Sequence, residues 1–221
     1  DIDTDNDFSY AQSNKYVISH KGRNWYAGDS DNPSTLYYSK ALSPEATPAL
    51  YYWDVGKNDG DIITGLRVNL GALIIFKRYS TWIITGDIPT GTDADMELEK
   101  INPSIGCISI KTAVHAGNDI IFLSPSQGVH RLHRIILANS ESMDSEALSD
   151  KIEPTLNVDM NSSRLNIAHA EVFNHKYHLY LAPANNQLIS RALVLELSGM
   201  NPLIERTIGW TQYYNMNFYS S

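Results

Sequence analysis

Apolar residues in this chain come in short runs of four to seven, separated by glycine, asparagine, aspartate or proline. Runs of that length bounded by turn residues read as β-strands rather than helices. The first group is Lys15-Tyr16-Val17-Ile18-Ser19, a turn at Lys21-Gly22, Asn24-Trp25-Tyr26-Ala27, a turn at Asp31-Asn32-Pro33, then Thr35-Leu36-Tyr37-Tyr38-Ser39. The second runs over residues 62–69, turns near Gly71, continues through Leu73-Ile74-Ile75-Phe76, turns at Lys77-Arg78-Tyr79 and ends with Thr81-Trp82-Ile83-Ile84. A third has strands at 109–114, Ile120-Ile121-Phe122-Leu123 and Val129-His130-Arg131-Leu132, with turns at Ala116-Gly117-Asn118 and Ser126-Gln127-Gly128. The fourth has strands at 167–173, 177–181 and 191–197, with turns at Asn174-His175-Lys176 and Ala184-Asn185-Asn186. Gly209-Trp210-Thr211-Gln212-Tyr213-Tyr214 reads either as the start of a fifth unit or as a strand closing another.

The first turn of each group falls near residues 22, 71, 117 and 175, a period of roughly 46–58 residues that matches four-stranded blades. A single hairpin of this size is marginal in water, so stacking the units is what gives each one a core. The fold expected is mainly β: propeller-like antiparallel sheets, about four to five blades, with one short helix. A β-sandwich shares the strand spacing but does not require the repeat. Two segments break the rhythm. Residues 87–104 read as a polar connection with a short helical piece at 93–100. In 140–154, Ser142 offers an N-cap; Met143, Ala147, Leu148 and Ile152 then form one apolar stripe, with Pro154 as a stop.

Composition narrows the function classes. The 221 residues are 43% hydrophobic and 19% charged, an ordinary globular balance, and thirteen tyrosines and four tryptophans favour pleated surfaces. The formal charge of −8 gives no overall attraction for phosphate backbones; the one short basic cluster is His130-Arg131-Leu132-His133-Arg134. A lone Cys107 permits no internal disulfide. The longest apolar run, residues 70–76, is too short to span a bilayer as a helix, so no stable membrane insertion is expected. Residues 1–14 read as an acidic N-terminal extension and 15–221 as the propeller-like domain, the whole being an excerpt of a longer polypeptide.

Candidate chemistry is sparse. Asp1-Ile2-Asp3-Thr4-Asp5-Asn6-Asp7 imitates a calcium loop, but the sixth and twelfth positions are Asn6 and Gln12 where Gly and Glu are required. Asp54, Asp59 and Asp61, around Lys57-Asn58-Asp59-Gly60, suit a turn with Asx chemistry. His130 and His133, and His175 and His178, are spaced three apart, which on a strand points them to opposite faces. Cys107 carries no nucleophile signature and reads as a small buried thiol. Glu97, Glu99, Asp119 and Glu171 are the carboxylates a glycosidase would need in pairs, but no Asp-box turn accompanies them. Trp25-Tyr26, Tyr37-Tyr38 and Tyr51-Tyr52-Trp53 could stack on sugars, with core packing the more frequent use. The expectation is a non-enzyme with no catalytic, cofactor or metal residue, and ligand-binding residues undefined.

Three stretches resemble the propeller-like tail nozzle, tubular and DNA-stabilisation proteins of short-tailed bacteriophages. They are Ser34-Thr35-Leu36-Tyr37-Tyr38-Ser39, Asp61-Ile62-Ile63-Thr64-Gly65-Leu66 leading into Leu73-Ile74-Ile75-Phe76-Lys77, and Gly106-Cys107-Ile108-Ser109 running on to residues 117–124. Gln127-Gly128-Val129, Leu148-Ser149-Asp150-Lys151-Ile152-Glu153-Pro154 and Gly209-Trp210-Thr211 continue the pattern. The resemblance implies a structural virion protein, made in the host cytoplasm and placed in the tail. It would assemble as a homo-oligomeric, typically sixfold, nozzle or hub ring below the portal. Its implied partners are the portal or adaptor, other tail proteins, and genomic DNA that is retained and conducted without sequence-specific binding. The alternatives are a sugar- or receptor-binding propeller module and, further off, a glycosidase. The family supplies no catalytic residues to carry over.

Overall fold

The structure, a computed structural model, describes residues 13–86, 96–137, 140–197 and 209–215. It is mainly β. Among the described residues, sixteen strands form four antiparallel sheets of four, each in chain order: β1–β4, β5–β8, β9–β12 and β13–β16. The first sheet holds β1 (Tyr16–His20), β2 (Arg23–Ala27), β3 (Thr35–Tyr38) and β4 (Tyr52–Asp54). The second holds β5 (Ile63–Asn69), β6 (Ala72–Lys77), β7 (Thr81–Thr85) and β8 (Glu97–Asn102). The third holds β9 (Val114–Ala116), β10 (Asp119–Ser124), β11 (Gly128–Leu137) and β12 (Ser140–Ala147). The fourth holds β13 (His169–Phe173), β14 (Lys176–Leu181), β15 (Arg191–Glu196) and β16 (Trp210–Tyr213). A four-stranded meander of this kind is the blade of a propeller-like arrangement.

The repeat visible in the sequence is a repeat of hairpins. Each sheet opens on a two-residue turn: His20 pairs Arg23, Asn69 pairs Ala72, Ala116 pairs Asp119 and Phe173 pairs Lys176. In three of them both turn residues have positive φ: Lys21 and Gly22, Leu70 and Gly71, Asn174 and His175. That backbone matches the right-handed twist of the strands it joins. Leu70 and Lys21 adopt it without a glycine's freedom, so the pairing of the flanking strands holds them there.

The chain divides into two compact units, residues 1–106 and 107–221, each with two sheets. In the first unit, Trp25, Ala27, Leu36 and Tyr38 of the first sheet pack with Ile63, Leu66, Leu73, Ile75 and Ile84 of the second. Alternation along the strands, with a bulge between Ile63 and Gly65 that shifts the register of β5, sends these residues to one face, and each fully buried large side chain contributes about 1.5–3 kcal/mol. Tyr38 lies 5.1 Å from Trp25 and stacks on Tyr51 at 5.0 Å. The Arg23 guanidinium caps Tyr38 and Tyr51 at 5.5 and 5.7 Å. In the second unit, Ile121, Leu123 and Val129 of the third sheet pack with Tyr177, Leu179, Leu181, Leu193 and Leu195 of the fourth. Leu148, Ile152 and Met160, from the segment between those sheets, complete that core.

Three expectations are corrected. The helical piece at 93–100 is absent where the structure describes it: residues 97–100 belong to β8, paired with β7, and 93–95 lie outside the described residues. The pairing is reinforced by Lys100, whose ammonium sits 4.6 Å from the Trp82 ring centroid. Ser142 caps no helix, because it falls within β12 opposite Ile135. The helix, α1 (Glu153–Val158), begins where the sequence reading ended one, with Pro154 in its first turn, where a missing N–H and fixed φ are tolerated. Short 3-10 turns also occupy residues 110–112, 150–152 and 162–167, so 109–113 and 167 are not strand. Trp210–Tyr213 pairs with β15; it closes the fourth sheet and does not open a fifth. The acidic start 1–12 and its calcium-like loop lie outside the described residues.

Candidate functional site

The densest polar chemistry in the first unit gathers around Lys77. β6 ends the run Leu73-Ile74-Ile75-Phe76 on this lysine, and strand geometry carries its stem inward, where the side chain is fully buried. A buried ammonium is tolerated only when its N–H groups find acceptors. Lys77 Nζ donates to Asp59 Oδ1 at 2.6 Å and Oδ2 at 2.7 Å, to the Val55 carbonyl at 2.8 Å and to Ser34 Oγ at 3.1 Å. Ser34 passes the connection on, donating to the Asp61 carbonyl at 2.7 Å. The Asp61 carboxylate accepts from the Ile62 and Tyr79 N–H groups at 2.9 and 3.0 Å and from Ser80 Oγ at 3.2 Å. Asp59 Oδ1 also accepts from the Asp61 N–H at 2.9 Å, which is the Asx turn expected there. Ser34 precedes β3 and Lys77 ends β6, so the node fastens the first sheet to the second.

Beside it opens a cleft of about 330 Å³ whose lining includes Asn32, Thr35, Asp54, Lys57, Asn58 and Asp61. Lys57 Nζ pairs with Asp54 at 2.8 Å, and Thr35 Oγ1 donates to Asp54 at 3.4 Å. Tyr37 and Tyr52 face each other across β3 and β4, with ring centroids 6.3 Å apart. Burial, with help from the Asp29 and Asp54 carboxylates, holds the Tyr37 hydroxyl above the usual tyrosine range.

In the second unit the interior is tied by neutral groups. Tyr177 Oη donates to the Thr112 carbonyl at 3.1 Å, and burial pushes its phenol well above the ordinary value. The Cys107 thiol is buried and donates to the Ser109 carbonyl at 3.1 Å, an inert setting for a thiol. Asp119 and Arg131 form an ion pair at 3.5 Å, and Arg131 also bonds Glu146 on the neighbouring strand. Burial raises the Asp119 carboxyl above its usual range, against the opposing pull of Arg131 and His133.

No protein-family model and no curated protein matches this chain. The functional reading therefore rests on geometry and on the resemblance of its motifs.

The sequence candidates are placed unit by unit. Glu97 and Glu99 stand exposed on β8 of the first unit. In the second unit Asp119 sits with Arg131, while Glu171 accepts from Tyr180 Oη at 2.5 Å. Burial and that carboxylate push the Tyr180 phenol up to about 12. His130 is buried beside Phe122, ring centroids 6.1 Å apart, whereas His133 is near Asp119; the pair occupies opposite faces of β11. His175 sits in the β13–β14 turn and His178 in β14, across from Glu171. Among the described residues, no three His, Cys, Asp or Glu side chains converge as a metal would require. Trp25 and Tyr38 are core, and Tyr26 is buried with its hydroxyl donating to the Pro44 carbonyl at 2.7 Å. Sequence reasoning missed Lys77. The available signal was a single cation closing an apolar strand a short distance after an Asp-rich turn.

Proposed function

We propose that the chain is a structural virion protein of a short-tailed phage tail, one protomer of a nozzle or hub ring below the portal that retains and conducts genomic DNA. The observation that carries this reading is the Lys77 node. Its buried charge is spent wholly on fastening two sheets, with each N–H acceptor supplied by the fold, as suits a part that bears force. Four short-hairpin meanders present loops to neighbours while keeping most strand edges paired. The charge of −8 keeps a passing polyanion from adhering. The motif resemblance over most of residues 15–214 supports a position in a tail.

The test is co-purification with portal and adaptor proteins, followed by negative-stain imaging. Closed rings stacked on the portal are expected. A chain that stays monomeric beside an assembled portal at micromolar concentration overturns the reading. Salt-insensitive, tight binding to duplex DNA counts against conduction.

A further inference from the structure

We propose that the face of the first sheet that carries Tyr52 and Asp54, with the cleft beside it, is a binding site for a neutral saccharide. The inference goes beyond the structural role and does not depend on it. Tyr52 and Asp54 are two residues apart on β4 and project from one face. Tyr52 is 43% exposed; Tyr37 supports it from β3 at a 52° tilt, leaving ring surface open. Adjoining Asp54 is the 330 Å³ cleft, at the lower end of the roughly 300–1,000 Å³ of small-molecule sites.

The functional groups match a pyranose. A tyrosine face offers an apolar platform to the C–H face of a sugar ring. Around the cleft stand a donor–acceptor amide pair (Asn32, Asn58), a hydroxyl (Thr35), carboxylates (Asp54, Asp61) and an ammonium (Lys57), the mixture that vicinal hydroxyls require as both donors and acceptors. Several groups are held before any ligand arrives. Asp54 is positioned by Lys57 and Thr35, Asn32 donates to Asp29 at 3.2 Å, and Asp61 is held by three donors, so part of the ordering cost is met before binding. Charge decides the class. With Asp31, Asp54 and Asp61 lining the cleft against one lysine, Lys57, uronates, sialosides and sulfated sugars are repelled and neutral hexoses or N-acetylhexosamines are accepted.

The experiment applies the full chain to a glycan array holding neutral, uronate, sialylated and sulfated oligosaccharides, then titrates maltotriose, cellotriose and chitotriose by NMR. A millimolar or tighter Kd for at least one neutral glycan is expected. Tyr52→Ala should weaken it at least about tenfold, whereas Tyr52→Phe, which keeps the ring, and Tyr213→Ala, an exposed tyrosine of β16, should stay within about threefold. The proposal is overturned if no array glycan binds, if acidic glycans are preferred, if Tyr52→Ala binds as well as the parent, or if Tyr213→Ala abolishes binding equally. Far-UV circular dichroism of each variant separates loss of the site from loss of the fold.

Discussion

The two units face the same task, joining one four-stranded meander to the next, and solve it with different chemistry. The first uses a buried ammonium held by Asp59, Ser34 and the Val55 carbonyl. The second uses neutral donors: Tyr177 to the Thr112 carbonyl, Trp210 Nε1 to the Leu148 carbonyl at 2.8 Å, and the Val129 N–H to Ser149 Oγ at 2.9 Å. A neutral hydrogen bond adds about 0.5–1.5 kcal/mol, and removing one partner of a buried one costs about 1–3 kcal/mol. A buried charge contributes little net stability when paired and much instability when its partner is lost. The first unit is therefore sharply intolerant at a few positions, and the second is tolerant at many.

The widest separation between the units should come from Asp59→Ala. It leaves Lys77 without its carboxylate and is expected to cost about 3–5 kcal/mol, read as a lower urea midpoint by tryptophan fluorescence; three of the four tryptophans (Trp25, Trp53 and Trp82) report from the first unit. Lys77→Met combined with Asp59→Asn should recover most of that loss, since an apolar stem without an ammonium needs no counter-ion; no recovery would mean that the node is not primarily electrostatic. Gly106→Ala comes next, at about 1–3 kcal/mol, because a Cβ there would collide with the backbone of Lys77, Arg78 and Ser80. Tyr177→Phe should cost about 1–3 kcal/mol, because it takes the donor from the Thr112 carbonyl in a buried setting; a loss as large as that of Asp59→Ala would erase the contrast.

The smallest effect is a pH slope specific to the second unit. His130 Nε2 hydrogen-bonds the Gln127 carbonyl at 3.0 Å, and its buried Nδ1 has no partner. Burial holds its pKa below the ordinary 6.5. The unfolded chain then takes up a proton before the native one does, so stability is complete above about pH 6.5 and declines as pH falls below it. His130→Gln should flatten part of that decline between pH 7.5 and 5 in urea titrations. An unchanged slope would assign the decline to other groups.

The sheets were legible because their turns announce themselves. Lys21-Gly22, Leu70-Gly71, Gly117-Asn118 and Asn174-His175 each fall where a two-residue hairpin closes. What escaped was whatever tertiary pairing decides against local preference. Glu97-Leu98-Glu99-Lys100 favours helix by composition but is a strand because β7 offers it an edge. Met143 and Ala147 are four apart, which shares a face in either structure, so periodicity could not choose between helix and β12. Lys77 was read as part of a turn, since nothing in one sequence reveals that Asp59 and Ser34 converge on it. The Tyr52–Asp54 face was equally hidden: Tyr37, Tyr52 and Asp54 were visible as residues, but their common side required the β3–β4 register.

Because each sheet is assembled from strands adjacent in the chain, its pairing closes only local connections. Relative contact order within a sheet is low, and the entropy of closing each hairpin is small. A ribosome extruding this protein would release the strands of each meander in pairing order, and each meander would gain its buried core once the sheet it packs against had followed.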